Sequence, residues 1–268
     1  MSENHRKLSL YQVDAFTSRV FGGNPAAIVP LETWLPEIEL QAIATENNLS
    51  ETAYFVPLPD DRFHLRWFTP VDEVPLCGHA TLASAHIILN LLQPRRQSVR
   101  FETLSGELVV ERRDDLLVMD FPRRTPGSCA PPAILATALG APPEQVLKTG
   151  KDPNYYAVYA DEATVLGIRP DMALLGKLDA GGICITAPGE TSDFVSRYFA
   201  PAFGIPEDPV TGSTHCALIP YWAQRLGKQK MFARQVSARG GELHCELHGE
   251  RVAIAGQAVM YLEGQLRY

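Results

Sequence analysis

No stretch of this 268-residue chain is long and apolar enough to read as a membrane-spanning helix. The longest apolar run, around residues 83–92, carries His86 and Asn90 and is too short to cross a bilayer. A signal peptide is not expected, because Gln12 and Asp14 interrupt any apolar region behind Lys7. Cysteine is sparse: Cys77, Cys129, Cys184, Cys216 and Cys245 form no CxxC and cannot all pair. That usage belongs to a reducing compartment, so a cytoplasmic location is expected. Positive charge is short too. Lys and Arg number 24 against 31 Asp and Glu, a net charge of −7, and the basic clusters are only the pairs Arg95-Arg96 and Arg123-Arg124. No nucleic-acid or anionic-membrane partner is expected from such a surface. Low-complexity segments are absent. With 46% hydrophobic and 21% charged residues the composition is globular, and order is expected past the first few residues.

What the chain does contain is a stretch written twice. Glu73-Val74-Pro75-Leu76-Cys77-Gly78-His79-Ala80-Thr81-Leu82-Ala83 returns as Glu207-Asp208-Pro209-Val210-Thr211-Gly212-Ser213-Thr214-His215-Cys216-Ala217. Each copy opens on an acidic residue, reaches proline two positions on, places glycine sixth, and runs into an apolar helical segment. The flanks repeat as well. Leu65-Arg66-Trp67-Phe68-Thr69-Pro70 matches Ser196-Arg197-Tyr198-Phe199-Ala200-Pro201 at an offset of 131 positions. The loops match at 134, and Ser105-Gly106-Glu107-Leu108 matches Gly240-Gly241-Glu242-Leu243 at 135. Order and spacing kept together indicate two homologous half-domains, 1–123 and 124–268, with the last strand near 258–268 free to join the first half.

Periodicity places strands near 8–16, 26–29, 53–56 and 63–68 and a helix over 36–46, started by Pro36 and stopped by Asn47-Asn48. A helix from Gly78 to about Leu92 is apolar nearly all round, hence buried. Strands near 98–103, 107–112 and 116–121 complete the half, and the proline-rich segment 122–132 connects to the next. There the reading is two short helices within 131–147, strands near 155–160 and 163–168, and a short helix near 171–177. Strands over 181–187 and 193–200, a second buried helix over 212–226, and four strands to residue 265 follow. The class is α+β, each half a curved sheet around one apolar helix, with mostly antiparallel connections.

A helix N-terminus presents free N–H donors and partial positive charge, and glycine lets a ligand approach the backbone. Two such loops facing one another would hold an anion, most simply a carboxylate; the plainer alternative is that each glycine only makes a turn. No metal site is expected. His244 and His248 on a strand would lie ~13 Å apart, and the neighbours His215-Cys216 and His244-Cys245 diverge. Cys77-Gly78-His79 hints at a thiol–imidazole nucleophile, although adjacency in sequence does not supply hydrogen-bond geometry, and a small buried cysteine is the plainer reading. Glu51, with polar neighbours Asn48, Ser50 and Thr52 at the mouth of an apolar strand, is a candidate partly desolvated acid–base; the alternative is an exposed strand end. Asp208 either caps the second helix or faces a ligand.

At these residues the chain resembles the PhzF family of phenazine-biosynthesis-type isomerases, which share the diaminopimelate epimerase fold. The resemblance rests on Asp14-Ala15-Phe16, Gly23-Asn24-Pro25, Asn48-Leu49-Ser50-Glu51, Phe68-Thr69-Pro70, Cys77-Gly78-His79, Glu207-Asp208-Pro209-Val210-Thr211-Gly212-Ser213, Gly240-Gly241 and Gly256-Gln257-Ala258. It covers essentially the whole chain. It implies two pseudo-symmetric domains, each a barrel-like sheet wrapped around a central helix, an active site between them, a homodimer, and neither cofactor nor metal. It also implies that Glu51 moves a proton between carbons of a small carboxylate-bearing substrate. His79 and Asp208 would assist as catalytic groups, and Asn24, Ser50, Gly78, Gly212, Ser213 and Thr214 would hold the substrate. One departure matters. Racemases on this fold use a thiol from each repeated loop, and here Thr211 stands where the second thiol would be, too weak an acid for that role. An isomerase acting through Glu51 is the first reading. A non-catalytic metabolite-binding or protein-interaction protein on the same scaffold, and thiol chemistry at Cys77, are the others.

Overall fold

Alternating burial makes Lys7–Ala15 strand β1, whose last three residues are all buried. β2 (Asn24–Pro30) lies antiparallel to it. Helix α1 (Glu37–Asn47) carries Glu37 and Glu39 in its first turn, where the helix dipole favours them, and ends on Asn48 in the left-handed conformation. β3 (Glu51–Pro57) runs parallel to β2, β4 (Arg62–Phe68) antiparallel to β3, and the short β5 (Glu73–Val74) antiparallel to β4. Helix α2 (Gly78–Ile87) passes into a π-helical turn, Ile88–Leu92. β6 (Ser98–Thr103) lies parallel to β4, β7 (Gly106–Arg113) antiparallel to β6, and β8 (Leu116–Pro122) antiparallel to β7. This computed structural model describes residues 6–150 and 154–268. The first few residues, beyond which the composition predicts order, lie outside the described residues.

The chain continues through β9 (Gly127–Ser128), α3 (Leu135–Leu139), β10 (Gln145–Lys148), β11 (Asn154–Val158), α4 (Glu162–Gly167), α5 (Met172–Leu175), β12 (Gly182–Pro188), β13 (Phe194–Ala200), β14 (Ile205–Asp208), α6 (Gly212–Leu226), β15 (Lys230–Gln235), β16 (Gly241–His248) and β17 (Arg251–Gly256). The final strand, β18 (Ala258–Arg267), pairs antiparallel with β1, with a bulge between Gln12 and Val13. Two compact units result: one runs to Asp120 and resumes at Ala255, the other spans Phe121–Ile254. Strand pairing in the second unit follows the order of the first. β11 and β12 are parallel, β13 is antiparallel to β12, and β14 folds back on β13. β15 is then parallel to β13 and β16 antiparallel to β15.

The α+β class and most elements agree with the sequence. Three readings are corrected. In place of a strand over 163–168 the chain forms helix α4, Glu162–Gly167, which Asp161 caps by accepting a hydrogen bond from Thr164 N at 2.7 Å. Only one helix, α3, occupies 131–147; Pro142-Pro143 stop helical continuation, and 145–148 become β10 between β9 and β11. The helix from Gly78 is α-helical only to Ile87. The two-residue strands β5 and β9 and the four-residue β14 had no periodicity to announce them.

In the first unit every residue of α2 except Gly78 and His86 is buried, and the helix packs on β1, β2, β3 and β18. Its small residues, Ala80, Ala83, Ser84 and Ala85, allow close approach. The hydroxyls of Thr81 and Ser84 return to the carbonyls of Cys77 and Ala80 at 2.6 and 2.8 Å, so no polar group there is left dry. In the second unit α6 packs on β15 and β16, and Trp222 stacks on Phe194 with ring centroids 5.6 Å apart while its Nε1 donates to Thr186 at 3.0 Å. His215 takes the place Thr81 holds in the first repeat: its Nδ1 lies 2.8 Å from the Thr211 carbonyl. Its Nε2 is buried without a partner, and burial pushes the ring down to about 4.

Two predictions follow from this packing. Gly23 sits at φ +59°, and a Cβ there would meet the Ala15 carbonyl oxygen at 2.0 Å, whereas one on Gly127 would meet nothing within 4 Å. Gly23→Ala should cost roughly 2–4 kcal/mol in urea unfolding while Gly127→Ala changes little. His215 binds its proton less well folded than unfolded, so the folded state loses stability as pH falls from about 6.5 toward about 4. The urea midpoint should drop across that window, and less so in His215→Asn, whose amide keeps a donor for Thr211.

Candidate active site

Glu51 is the first residue of β3. Asn48 closes α1 by returning its N–H to the Ala44 carbonyl at 3.2 Å, and Asn47 donates to the Thr52 hydroxyl at 3.0 Å, so the turn into β3 is pinned on both sides. Parallel pairing then sets Glu51 opposite Ala26, beside the start of β2, where Asn24 lies. His79 is the second residue of α2. The N-cap residue Cys77 offers no side-chain acceptor to the helix, so the first N–H groups of α2 have no capping side chain.

These elements bring five side chains together. His79 Nε2 lies 3.0 Å from Glu51 Oε2, and Asn24 Nδ2 and Cys77 Sγ lie 3.2 and 3.5 Å from His79 Nδ1. The Ser50 hydroxyl donates to Asn24 Oδ1 at 3.2 Å. The Glu51 side chain is 13% exposed and that of His79 6%. Although Glu51 Oε2 touches the imidazole, the approach is not a directed hydrogen bond, and this buried oxygen has no other partner. A carboxylate oxygen so placed is available to take a proton from a bound molecule. Burial works against charge on His79, yet the imidazole is held well above its ordinary value; with Cys77 a neutral thiol, the charge that does so is the Glu51 carboxylate. The Cys77 thiol is pushed up to about 11, by burial first and then by the Glu51 carboxylate, so it is a protonated thiol at neutral pH and a poor nucleophile. The thiol–imidazole proximity that sequence adjacency does not guarantee is present, without the activation that nucleophilic catalysis needs.

Glu51, Cys77 and His79 also place one ligand-type atom each within 4.8 Å of one another, the one such group among the described residues. Their count is that of a catalytic rather than a structural zinc site. A metal there would need the thiolate, which burial and the adjacent carboxylate disfavour, and would displace the Glu51–His79 contact.

In the second repeat Asp208 ends β14. It accepts a hydrogen bond from the hydroxyl of Thr211, the N-cap residue of α6. Gln235, on β15 and wholly buried, donates to Thr211 Oγ1 at 3.1 Å and to the Asp208 carbonyl at 2.8 Å, and accepts from Thr211 N at 2.8 Å. The threonine that replaces a second thiol is thus occupied on both sides. Gly212 begins α6 and Ser213 is half-buried there. Thr214 is wholly buried with its hydroxyl on the Thr211 carbonyl at 2.9 Å, and Asn24 is equally buried.

Sequence reasoning missed Gln235 and the role of the repeated acids. Glu73 receives Arg66 side-on at 2.7 and 2.6 Å, and Glu207 receives Arg197 in the same way at 2.8 and 3.0 Å. These bidentate clamps fasten each repeated loop to the strand before it. Arginine and glutamate recurring together in both repeats was the available signal. Gln235 left none, because it reaches the loop from a strand 24 residues on.

The model of the phenazine biosynthesis-like protein family matches residues 13–264. An uncharacterised isomerase of Pseudomonas aeruginosa is 51% identical over 260 residues, covering 97% of this chain and 99% of its own. A phenazine biosynthesis-like domain-containing protein of Mus musculus is 42% identical over 97% of this chain and 99% of its own. The crystal structure of a PhzF-family protein from Enterococcus faecalis superposes with a TM-score of 0.93 at 44% identity, covering 97% of this chain and 99% of the other. With the family model spanning nearly the whole sequence and these relatives matching end to end, the chain belongs to the PhzF family of phenazine biosynthesis-like proteins.

Proposed function

We propose that this protein is a cofactor-independent isomerase that moves a proton between two carbons of a small carboxylate-bearing substrate, with Glu51 as the general acid–base. The observation that carries the reading is the buried, otherwise unpartnered Oε2 of Glu51 beside the His79 imidazole. In the reaction Glu51 takes a proton from an activated C–H and becomes a carboxylic acid, while the electron pair left on carbon spreads into the conjugated system of the substrate. Returning that proton to a second carbon shifts the double bond and regenerates the carboxylate, with no net oxidation. His79, as the positive partner, steadies Glu51 when it is ionised. The N–H groups at the start of α2, at Gly78 and beyond, suit the substrate carboxylate. One well-placed carboxylate contributes ~10²–10⁴ in rate, so the C–H must already be acidified by an adjacent enamine or carbonyl.

The fold reading that goes with this is a pair of related domains, each a barrel-like sheet wrapped around its long helix, α2 or α6. The recurring order of strand pairing supports it. In the second repeat Asp208, Gly212 and Ser213 are assigned to holding and polarising the substrate. Thr214 joins them only through its backbone. Five free cysteines, four of them buried, suit a cytoplasmic setting, and the family resemblance favours a homodimer.

A panel of enamine- and diene-carboxylic acids supplies the probe. On an acid that turns over, Glu51→Gln should lower kcat by at least ~10² while leaving binding within a few-fold, since the amide keeps shape but cannot take a proton. An unchanged kcat would remove Glu51 from the chemistry. Asp208→Asn and Ser213→Ala should mainly raise KM; if neither does, the second repeat does not hold substrate.

A further inference from the structure

We infer that Asn24, bonded to the Ser50 hydroxyl, is a positioning residue that opposes protonation of His79 at Nδ1, so that the neutral ring carries its one proton on the Nε2 beside Glu51. This rests on the reading of Glu51 and His79 given above, but assigns Asn24 and Ser50 a role other than holding substrate.

The argument begins with donors and acceptors. A side-chain amide can present either end to a neighbour. Here Asn24 Oδ1 takes the Ser50 hydroxyl at 3.2 Å, which leaves Nδ2, a donor, facing His79 Nδ1 at 3.2 Å. The other group against Nδ1 is the Cys77 thiol at 3.5 Å, which is also a donor while protonated. In the neutral ring, a nitrogen that faces the amide donor and the thiol is favoured as a lone pair. On the opposite side a carboxylate oxygen lies 3.0 Å from Nε2 and calls for a proton there. Both sides of the ring therefore select one tautomer.

The two sides pull differently on the charge. Glu51 and Cys77 are the titratable groups acting on the ring; Glu51 favours imidazolium, and the amide donor favours the neutral form. Without that opposition His79 and Glu51 would settle as a permanent ion pair, and the ring would have no neutral form available in the cycle. Asn24 acts on His79 without touching the reacting atoms.

The backbone around Asn24 fits this role. The loop between β1 and β2 holds Phe16 and Phe21 at positive φ, 62° and 71°, and passes through Gly23, where no side chain fits. Phe21 N donates to the wholly buried Asp14 at 2.8 Å. Conformations this uncommon for aromatic residues cost free energy that the surrounding structure must offset. They deliver Asn24 to the first position of β2 with no exposed surface, where a substrate contact would need some.

The test reads the ring in the ligand-free protein, by 15N-histidine NMR with His79 assigned from the signal lost in His79→Gln. The wild type should show its neutral ring protonated at Nε2. Asn24→Asp replaces the donor by an acceptor and should raise the His79 titration midpoint by at least ~1 pH unit, tenfold in proton affinity. Ser50→Ala removes the hydroxyl bonded to Asn24 Oδ1 and should raise it in the same direction, while Ser50→Thr keeps the hydroxyl and should restore the wild-type midpoint. Ser50 is half-exposed, so this pair carries the test even if Asn24→Asp does not fold. An Nδ1-protonated neutral ring in the wild type would overturn the inference. So would an unmoved midpoint in Ser50→Ala accompanied by a raised KM, which would make these residues substrate contacts. Because the spectra need no turnover, failure here leaves the role of Glu51 standing, and failure of Glu51 in catalysis leaves the ring assignment standing.

Discussion

A carboxylate oxygen and an imidazole nitrogen 3.0 Å apart, with little water around either, set the terms for the rest of the first unit. Groups of this kind are costly to bury unless each finds a partner, and a lone carboxylate in that position would be driven to neutralise. The first unit meets the requirement with elements from three parts of the chain. Parallel pairing of β2 and β3 brings Asn24, Ser50 and Glu51 to one end of the sheet, and the buried α2 delivers Cys77 and His79 to the same place. Sealing α2 among β1, β2, β3 and β18 is therefore both the core of the unit and the means of holding His79 still.

The repeat separates what is structural from what is chemical. Both copies keep an Arg–Glu clamp, a glycine at the helix start, and a first-turn side chain returned to the N-cap carbonyl: Thr81 in one, His215 in the other. These shared features hold loops and helices. The differences lie where chemistry would occur. The first loop carries a thiol whose proton is held tightly, next to a histidine in contact with Glu51. In the second, a threonine hydroxyl is already engaged by Asp208 and Gln235. A pair of thiols acting from two loops is not available to this chain, and we assign the proton work to Glu51, outside the repeat.

Much of this was legible beforehand. Glycine, proline and the long apolar helices marked most element positions, and the repeated loop marked the starts of α2 and α6. Short elements were not legible, because two to four residues carry no period: β5, β9 and β14 exist only through their partners. Residues 163–168 carry a weak strand-like alternation that the capping aspartate, Asp161, outweighs. The contact of Glu51 with His79 depends on strand register, which the residues around either one do not state. The burial of Asn24 was not legible either, since a motif match records identity and not exposure.

The central claim is that Glu51 carries the proton, and isotope incorporation tests it most directly. Incubated in D₂O with a carboxylic acid that the protein turns over, wild-type protein should place deuterium at a single carbon, seen by NMR or mass, and Glu51→Gln should place none. Deuterium entering at the wild-type rate in Glu51→Gln would contradict the account.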